Sequence, residues 1–86
     1  MSNEEIGIDA REATKNVRQY FEENYGAMGV LLFEIDKTEY NKTDKSWTIT
    51  CNFFRTFAST IKSYYTVIVN SNGSLGSVNK ITKPSE

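Results

Sequence analysis

The sequence predicts an α+β fold in which a single N-terminal helix packs on one face of a four-stranded antiparallel meander sheet. Two observations predict it. Residues 9–25 carry apolar side chains at helical spacing, and residues 30–81 repeatedly alternate apolar and polar side chains, as half-covered strands do. With one helix available, only one face of the sheet can be covered.

The helix has recognisable signals at both ends. Asp9 is a favourable N-cap, and Glu12 three residues later completes a pattern resembling a capping box. Gly26 can adopt the left-handed conformation that ends many helices. The apolar side chains expected on one helix face are Ala13, Val17, Tyr20 and Phe21.

The first two strands are predicted as a hairpin. One strand begins at Val30 and runs to Tyr40, and residues 41–46 form a polar turn before the next strand. The side chains expected to contact the helix are Leu31, Phe33 and Ile35 from the first strand, and Trp47, Ile49, Cys51 and Phe53 from the second. Phe54 breaks this alternation, so it lies on the uncovered face or marks a bulge.

The third strand is predicted over residues 62–70 and the fourth over residues 75–83, joined by a turn at Asn72-Gly73. Tyr65, Val67 and Val69 would face the helix. Gly76 leaves the register of the fourth strand open.

The length of the chain predicts one small domain with two short tails, and its charge is unevenly distributed. At 86 residues the chain suits a single domain over residues 9–83, with flexible tails at 1–8 and 84–86. The net charge of −1 conceals an uneven distribution. Residues 1–41 carry four basic and nine acidic residues, whereas residues 42–86 carry six basic and two acidic ones. This modest positive half is far below what a dedicated nucleic-acid-binding protein carries.

The N-terminal sequence is polar and acidic, without the basic start and apolar segment of a secretory signal. No apolar run approaches the roughly 18–20 residues that span a bilayer. We therefore expect a soluble, cytoplasmic protein without membrane contact.

Three sequence segments resemble the PepSY-like and cystatin-like group of small domains. They are the helix AREATKNVRQYF, the strand WTITCNFF and the closing segment YYTVIVNSNGSLGSV, together spanning about residues 10–81. The resemblance departs at Asn70, where an Asp is common. Trp47, Arg55, Tyr65 and Gly73 are also similar in order to the closing pattern of the gas-vesicle accessory protein O family. The PepSY-like resemblance implies a helix cradled by an antiparallel sheet and an interaction or regulatory module, and it implies no catalytic residues.

Catalytic chemistry has little support in this composition. The chain has no His to activate a nucleophile, and Cys51 is expected to be a buried apolar residue rather than a reactive thiol. Glu34 and Asp36 could share a strand face as an acid–base pair, but solvent-facing strand positions explain them more simply. The acidic spacing matches no metal-binding pattern, so we expect no enzyme activity, metal or cofactor.

The uncovered sheet face is the candidate binding surface. If alternation holds, it carries a mixed apolar patch that would bind a protein partner or a second copy of the chain. Its residues would be Leu32, Tyr40, Phe54, Tyr64 and Ile68, beside Thr48, Thr50, Asn52 and Thr66. A solvated, threonine-rich face is the simpler alternative.

A second hypothesis is binding of single-stranded nucleic acid or a small ligand. Arg55 and Lys62 would act beside aromatic side chains, and Arg55 would stack on Phe53 or Phe57. Alternate members of this aromatic set are needed for the core, which makes nucleic acid the less favoured partner.

Overall fold

The structure is a computed structural model that describes residues 7–83. Helix α1 spans Ala10–Tyr25 and is followed by a short 3-10 helix at Ala27–Gly29. The strands are β1 (Leu31–Asn41), β2 (Ser46–Phe54), β3 (Ser63–Val69) and β4 (Leu75–Ile81). They form one antiparallel sheet in the order β1-β2-β3-β4. The predicted α+β meander with one helix is confirmed.

Helix α1 begins and ends as its sequence predicts. The Asp9 Oδ1 accepts a hydrogen bond from the Glu12 backbone N–H at 2.9 Å, satisfying a donor that has no partner within the helix. Gly26 has a φ of +81°, and its backbone N–H donates to the Glu22 carbonyl at 2.8 Å. The predicted face is correct: Ala13, Val17 and Phe21 are buried, and Tyr20 packs against them.

The core between α1 and the sheet is largely aromatic. The Phe21 ring centroid lies 4.9 Å from that of Phe53 and 4.8 Å from that of Tyr65, within the range of favourable aromatic pairs. The other strand side chains buried with them are Ile49, Cys51, Val67 and Val69. This confirms the predicted helix-facing rows of β2 and β3.

Cys51 is buried in this core, as predicted. Burial, with a smaller contribution from the nearby Asp36 carboxylate, raises the pKa of the Cys51 thiol to about 12. The thiol therefore stays protonated near neutral pH and acts as a small apolar side chain.

The residue just before the helix cap is hydrogen-bonded to the end of the sheet that carries the β1–β2 and β3–β4 turns. The Ile8 backbone N–H donates to the Ser71 carbonyl at 3.3 Å, and the Ile8 carbonyl accepts from the Trp47 Nε1 at 3.0 Å. Ile8, which belongs to the tail predicted over residues 1–8, is thus hydrogen-bonded to the sheet. Residues 1–6 and 84–86 lie outside the described part of the chain.

Two β-bulges in β1 change which side chains face the helix. Between the pairs Leu31–Phe54 and Glu34–Asn52, β1 contains one residue more than β2. A second extra residue lies between Ile35 and Lys37. Each extra residue reverses the alternation of side chains between the two sheet faces. The alternation on either side of the two bulges is therefore opposite to that between them.

The first bulge moves Leu31 to the sheet face that points away from α1, which we call the open face. Leu31 is directly opposite Phe54, and directly opposite residues of an antiparallel pair share a face. The prediction that Leu31 contacts the helix is therefore wrong, whereas Phe33 and Ile35 do pack against the core. Leu32 occupies the bulge with a φ of +54°.

The β3–β4 hairpin ends at the predicted turn, where Gly73 has a φ of +94°. The register left open by the sequence is set by a third irregularity. Ile68 is opposite Ser77 and Val69 is opposite Leu75, so Gly76 is the extra residue. A Cβ at Gly76 would lie 3.2 Å from the Asn70 Oδ1, so a side chain at this position would require the Asn70 side chain to shift slightly.

Candidate protein-binding surface

The centre of the open face is polar. The strand register places Thr50 directly opposite Thr66, and Thr48 directly opposite Ile68. Next to them on β4 are Asn79 and Ser77. This part of the sheet corresponds to the simpler sequence hypothesis, a solvated threonine-rich face, with Ile68 as a single apolar side chain.

The apolar side chains of the open face gather instead at one end of the sheet. This is the end where β1 and β3 begin and β2 and β4 finish. Phe54 is opposite Leu31, and Tyr64 is opposite Ile81. We call this surface the apolar end, and its residues are Leu31, Leu32, Phe54, Phe57, Ile61, Tyr64 and Ile81.

Three of these side chains are far more exposed than large apolar residues usually are. Leu32 is 74% exposed, and Phe57 and Ile61 are each 79% exposed. Leu32 lies in the first bulge, and the other two lie in the connection between β2 and β3. A single exposed apolar residue needs no explanation, but a group of them beside other apolar side chains is typical of an interaction surface.

Phe54 separates two grooves at the apolar end. The first has a volume of about 320 Å³ and is lined by Leu31, Leu32, Phe54, Thr56, Phe57 and Ser59. The second has a volume of about 600 Å³ and is lined by Phe54, Thr60, Ile61, Lys62, Tyr64, Lys80, Ile81, Thr82 and Lys83. Both volumes fall in the range of ligand-binding clefts. The first groove has no charged side chain, whereas the second contains three lysines.

Charged side chains border the apolar end toward the sheet centre. The Lys62 Nζ lies 3.1 Å from the Glu34 Oε1 and 5.7 Å from the centroid of the Phe54 ring. The hydrogen bond with Glu34 raises the pKa of the Lys62 ammonium. Lys62 therefore stays charged and remains anchored beside Phe54, although such exposed pairs contribute little to stability.

Asn52 is a buried polar residue on the same face. It is only 1% exposed, and its Nδ2 donates to both carboxylate oxygens of Asp36, at 2.9 Å and 2.8 Å. Its Oδ1 has no hydrogen-bond partner among the described residues. Glu34 and Asp36, considered in the sequence as an acid–base pair, thus contact different partners, namely Lys62 and Asn52.

Three of the five predicted interface residues come together. Phe54 and Tyr64 both line the second groove, and Leu32 joins Phe54 in the first. Ile68 is on the open face but lies four residues along β3 from Tyr64, about 13 Å away at the usual rise of a strand.

Tyr40 is on the other face, so its predicted place in the patch is wrong. It is directly opposite Trp47, and the two ring centroids are 5.0 Å apart. Trp47 packs against the core on the helix side. The bulge between Ile35 and Lys37 is the reason, because it reverses the alternation of the second half of β1.

The two cations of the nucleic-acid hypothesis lie on opposite sides of the sheet. The Arg55 guanidinium lies 3.7 Å from the centroid of the Tyr25 ring, at the end of α1. It stacks there rather than on Phe53 or Phe57. The Tyr25 hydroxyl lies 3.4 Å from that of Tyr65, and burial together with this contact raises the Tyr65 pKa to about 12. Lys62, by contrast, is on the open face.

Four residues of the apolar end were missing from the predicted patch. Leu31 was assigned to the other face, and Ile81 follows Gly76, where the register was open. Phe57 and Ile61 lie between strands, where alternation gives no information about side-chain direction. The signal that could have found them is composition, because large apolar residues are unusual in an exposed strand connection.

A further groove lies on the helix side, between α1 and β1. Its volume is about 630 Å³ and its lining is mostly polar, with Arg11, Thr14, Lys15, Arg18, Gln19, Glu22, Phe33 and Ile35. The Arg18 Nε is 3.1 Å from the Glu22 Oε2. None of the predicted site residues lines this groove.

Within residues 7–83, no group of three or more Cys, Asp or Glu side chains is arranged to hold a metal ion. In the same part of the chain, no helix has both the length and the apolar character required to cross a membrane.

No protein-family model, curated protein or solved structure matches this chain. The resemblances to PepSY-like domains and to the gas-vesicle family therefore stay predictions.

Proposed function

We propose that this protein is a non-enzymatic binding module that recognises a protein through the apolar end of its open sheet face. The partner is a different protein or a second copy of the chain. The interaction would bury Phe54 between its two grooves, with Leu32, Phe57 and Ile61 around it. Compared with the patch predicted from the sequence, this surface excludes Tyr40 and places Ile68 outside its centre.

The exposure of the apolar side chains is the observation that supports this proposal. Phe57 and Ile61 each leave 79% of their surface in water, although burying such a side chain contributes roughly 1.5–3 kcal/mol. Neither residue contributes much to the core in this position. Removing this surface from water by association would be favourable, and aromatic side chains next to grooves are typical centres of protein interfaces.

The positions of the basic side chains are less suitable for binding single-stranded nucleic acid. Stacking proteins place aromatic and basic side chains along one continuous groove. Arg55 stacks on Tyr25 on the helix side, whereas Lys62 contacts Glu34 on the open face. The two residues could not act on one strand without crossing the edge of the sheet.

The experiment compares three purified proteins: wild type, Phe57→Asp/Ile61→Asp, and the control Thr43→Asp/Asn79→Asp. Both double variants add two negative charges at exposed positions, but the control positions lie away from the apolar end. Circular dichroism and urea unfolding establish that all three fold equally. Light scattering across a hundredfold concentration range then measures self-association, and affinity capture identifies partners retained by each protein.

We expect wild type and the control to form the same assembly or capture the same partner. Phe57→Asp/Ile61→Asp should lose that assembly or partner. A wild-type dimer that becomes monomeric only in this variant identifies a second copy as the partner. If all three proteins give the same mass and the same captured proteins, the apolar end is not the binding surface.

A further inference from the structure

We propose that the apolar end binds an acidic peptide segment in which one large apolar side chain is followed, about three residues away, by carboxylates. This inference rests on the proposed function and specifies the chemistry of the partner.

The second groove carries an excess of positive charge. Lys62, Lys80 and Lys83 line it, and Glu34, which borders the groove, pairs with Lys62. Lys80 and Lys83 form no ion pair with any residue in the range 7–83. The whole chain has a net charge of −1, so this concentration of positive charge is local. A negative partner would be both attracted to and oriented by it.

The two grooves suit different side chains. The first, between Leu32 and Phe57, is uncharged and holds about 320 Å³, enough for one large apolar side chain. The second places Lys62 and Lys83 beside Phe54 and Tyr64, and it suits a carboxylate with an apolar stem. One ligand that fills both grooves therefore needs an apolar group and a negative charge.

The strand spacing sets the separation between these two groups. The first groove reaches Leu31 on β1, and the second contains Tyr64 on β3, while Phe54 on β2 lines both. Neighbouring strands are about 4.8 Å apart, so Leu31 and Tyr64, two strands apart, are separated by roughly 10 Å. An extended peptide covers this distance in about three residues. The chain would cross Phe54, which lines both grooves.

A lipid surface is the competing occupant of a basic and apolar end. The protruding side chains of Leu32, Phe57 and Ile61 could insert into a bilayer. A bilayer, however, has no side chain of defined shape to fill the first groove. The concave shape of both grooves favours a peptide.

The test is selection of a displayed library of random linear peptides on three immobilised proteins. These are wild type, Lys80→Glu/Lys83→Glu, and the charge-matched control Lys15→Glu/Lys42→Glu, whose positions lie away from both grooves of the apolar end. Phe57→Asp/Ile61→Asp serves as the counter-selection. Selected peptides are synthesised and their affinities measured by fluorescence polarisation. Flotation with phosphatidylserine–phosphatidylcholine vesicles tests the lipid surface on the same proteins.

We expect peptides with a Phe, Leu or Trp about three positions from Asp or Glu. Their binding should weaken about tenfold in Lys80→Glu/Lys83→Glu, because each exposed ion pair contributes up to about fivefold. The control should bind like wild type.

Two other results would overturn this inference in different ways. Neutral or basic peptides that lose binding in Phe57→Asp/Ile61→Asp would leave the proposed function intact and remove the acidic partner. Peptides insensitive to Phe57→Asp/Ile61→Asp, or vesicle binding that requires Lys80 and Lys83, would refute both proposals.

Discussion

Leu32 combines an unfavourable backbone conformation with an exposed side chain, and this combination predicts that a substitution can stabilise the protein while weakening binding. Its φ is +54° and its side chain is 74% exposed. The left-handed conformation costs a residue with a Cβ about 1–2 kcal/mol. Since only a quarter of the side chain is buried, its packing contributes about 0.5 kcal/mol.

Leu32→Asn should therefore raise the free energy of unfolding by about 0.5–1 kcal/mol, because Asn adopts the left-handed region more readily than Leu. Leu32→Gly should leave stability nearly unchanged, since the greater freedom of glycine in the unfolded chain costs about 0.5–1 kcal/mol. Lys45 is the matched control: it is also exposed, with a φ of +57°, but it lies in the β1–β2 turn. Lys45→Asn should stabilise the protein by a similar amount without affecting binding.

Urea unfolding followed by Trp47 fluorescence measures these differences, with an unchanged m-value as the sign that only stability has shifted. The affinity for a peptide selected on wild type measures the effect on binding, and it should fall in Leu32→Asn and Leu32→Gly but not in Lys45→Asn. An unfolding free energy of Leu32→Asn at or below that of wild type would refute the reasoning about strain. Unchanged affinity in this variant would remove Leu32 from the binding surface.

Three further predictions concern buried groups. The Cys51 thiol is buried and its pKa is raised to about 12, so at about pH 8 it should react with a disulfide reagent no faster than the protein unfolds in urea; rapid reaction of the folded protein would contradict its burial. The pKa of Tyr65 is raised to about 12, so the unfolded chain releases this proton first and the free energy of unfolding should fall as pH rises from about 10 to 12; pH titration of stability measures this fall, and Tyr65→Phe should lose the part due to Tyr65 while keeping the part due to Cys51. Asn52→Asp would bury a carboxylate beside the exposed carboxylate of Asp36 and should destabilise the protein by about 3 kcal/mol at pH 7, with recovery as acid neutralises the pair; an equal loss of stability at neutral and acid pH would show that charge repulsion is not the cause.

The sequence was sufficient to predict the order of the elements because the helix and the central strands carried clear local signals. Asp9 and Gly26 bounded the helix, and three apolar side chains at helical spacing defined its buried face. The row from Ile49 to Phe53 alternated without interruption, which fixed the covered face of the central hairpin.

The candidate surface was only partly predictable, because alternation fails at bulges and in strand connections. Nothing in the residues from Leu31 to Tyr40 marks the two extra positions, since the bulges depend on pairing with β2 rather than on local preference. The faces of Leu31 and Tyr40 were therefore assigned incorrectly. Phe57 and Ile61 contribute to the apolar end through the path of a connection, which no periodic pattern describes.

The bulges of β1 also determine how a partner can approach this molecule. Both outer strands of the sheet have one side without a neighbour in the described residues, and such an edge is a template for pairing with a foreign strand. On β1 the irregularities at Leu32 and around Asp36 interrupt the regular row of backbone groups, leaving only short runs to pair with. On β4, Gly76 interrupts the start of the strand and Lys80 adds a charge near its end. Growth of the sheet by addition of strands is thus discouraged at both edges, and recognition is left to the side chains of its faces.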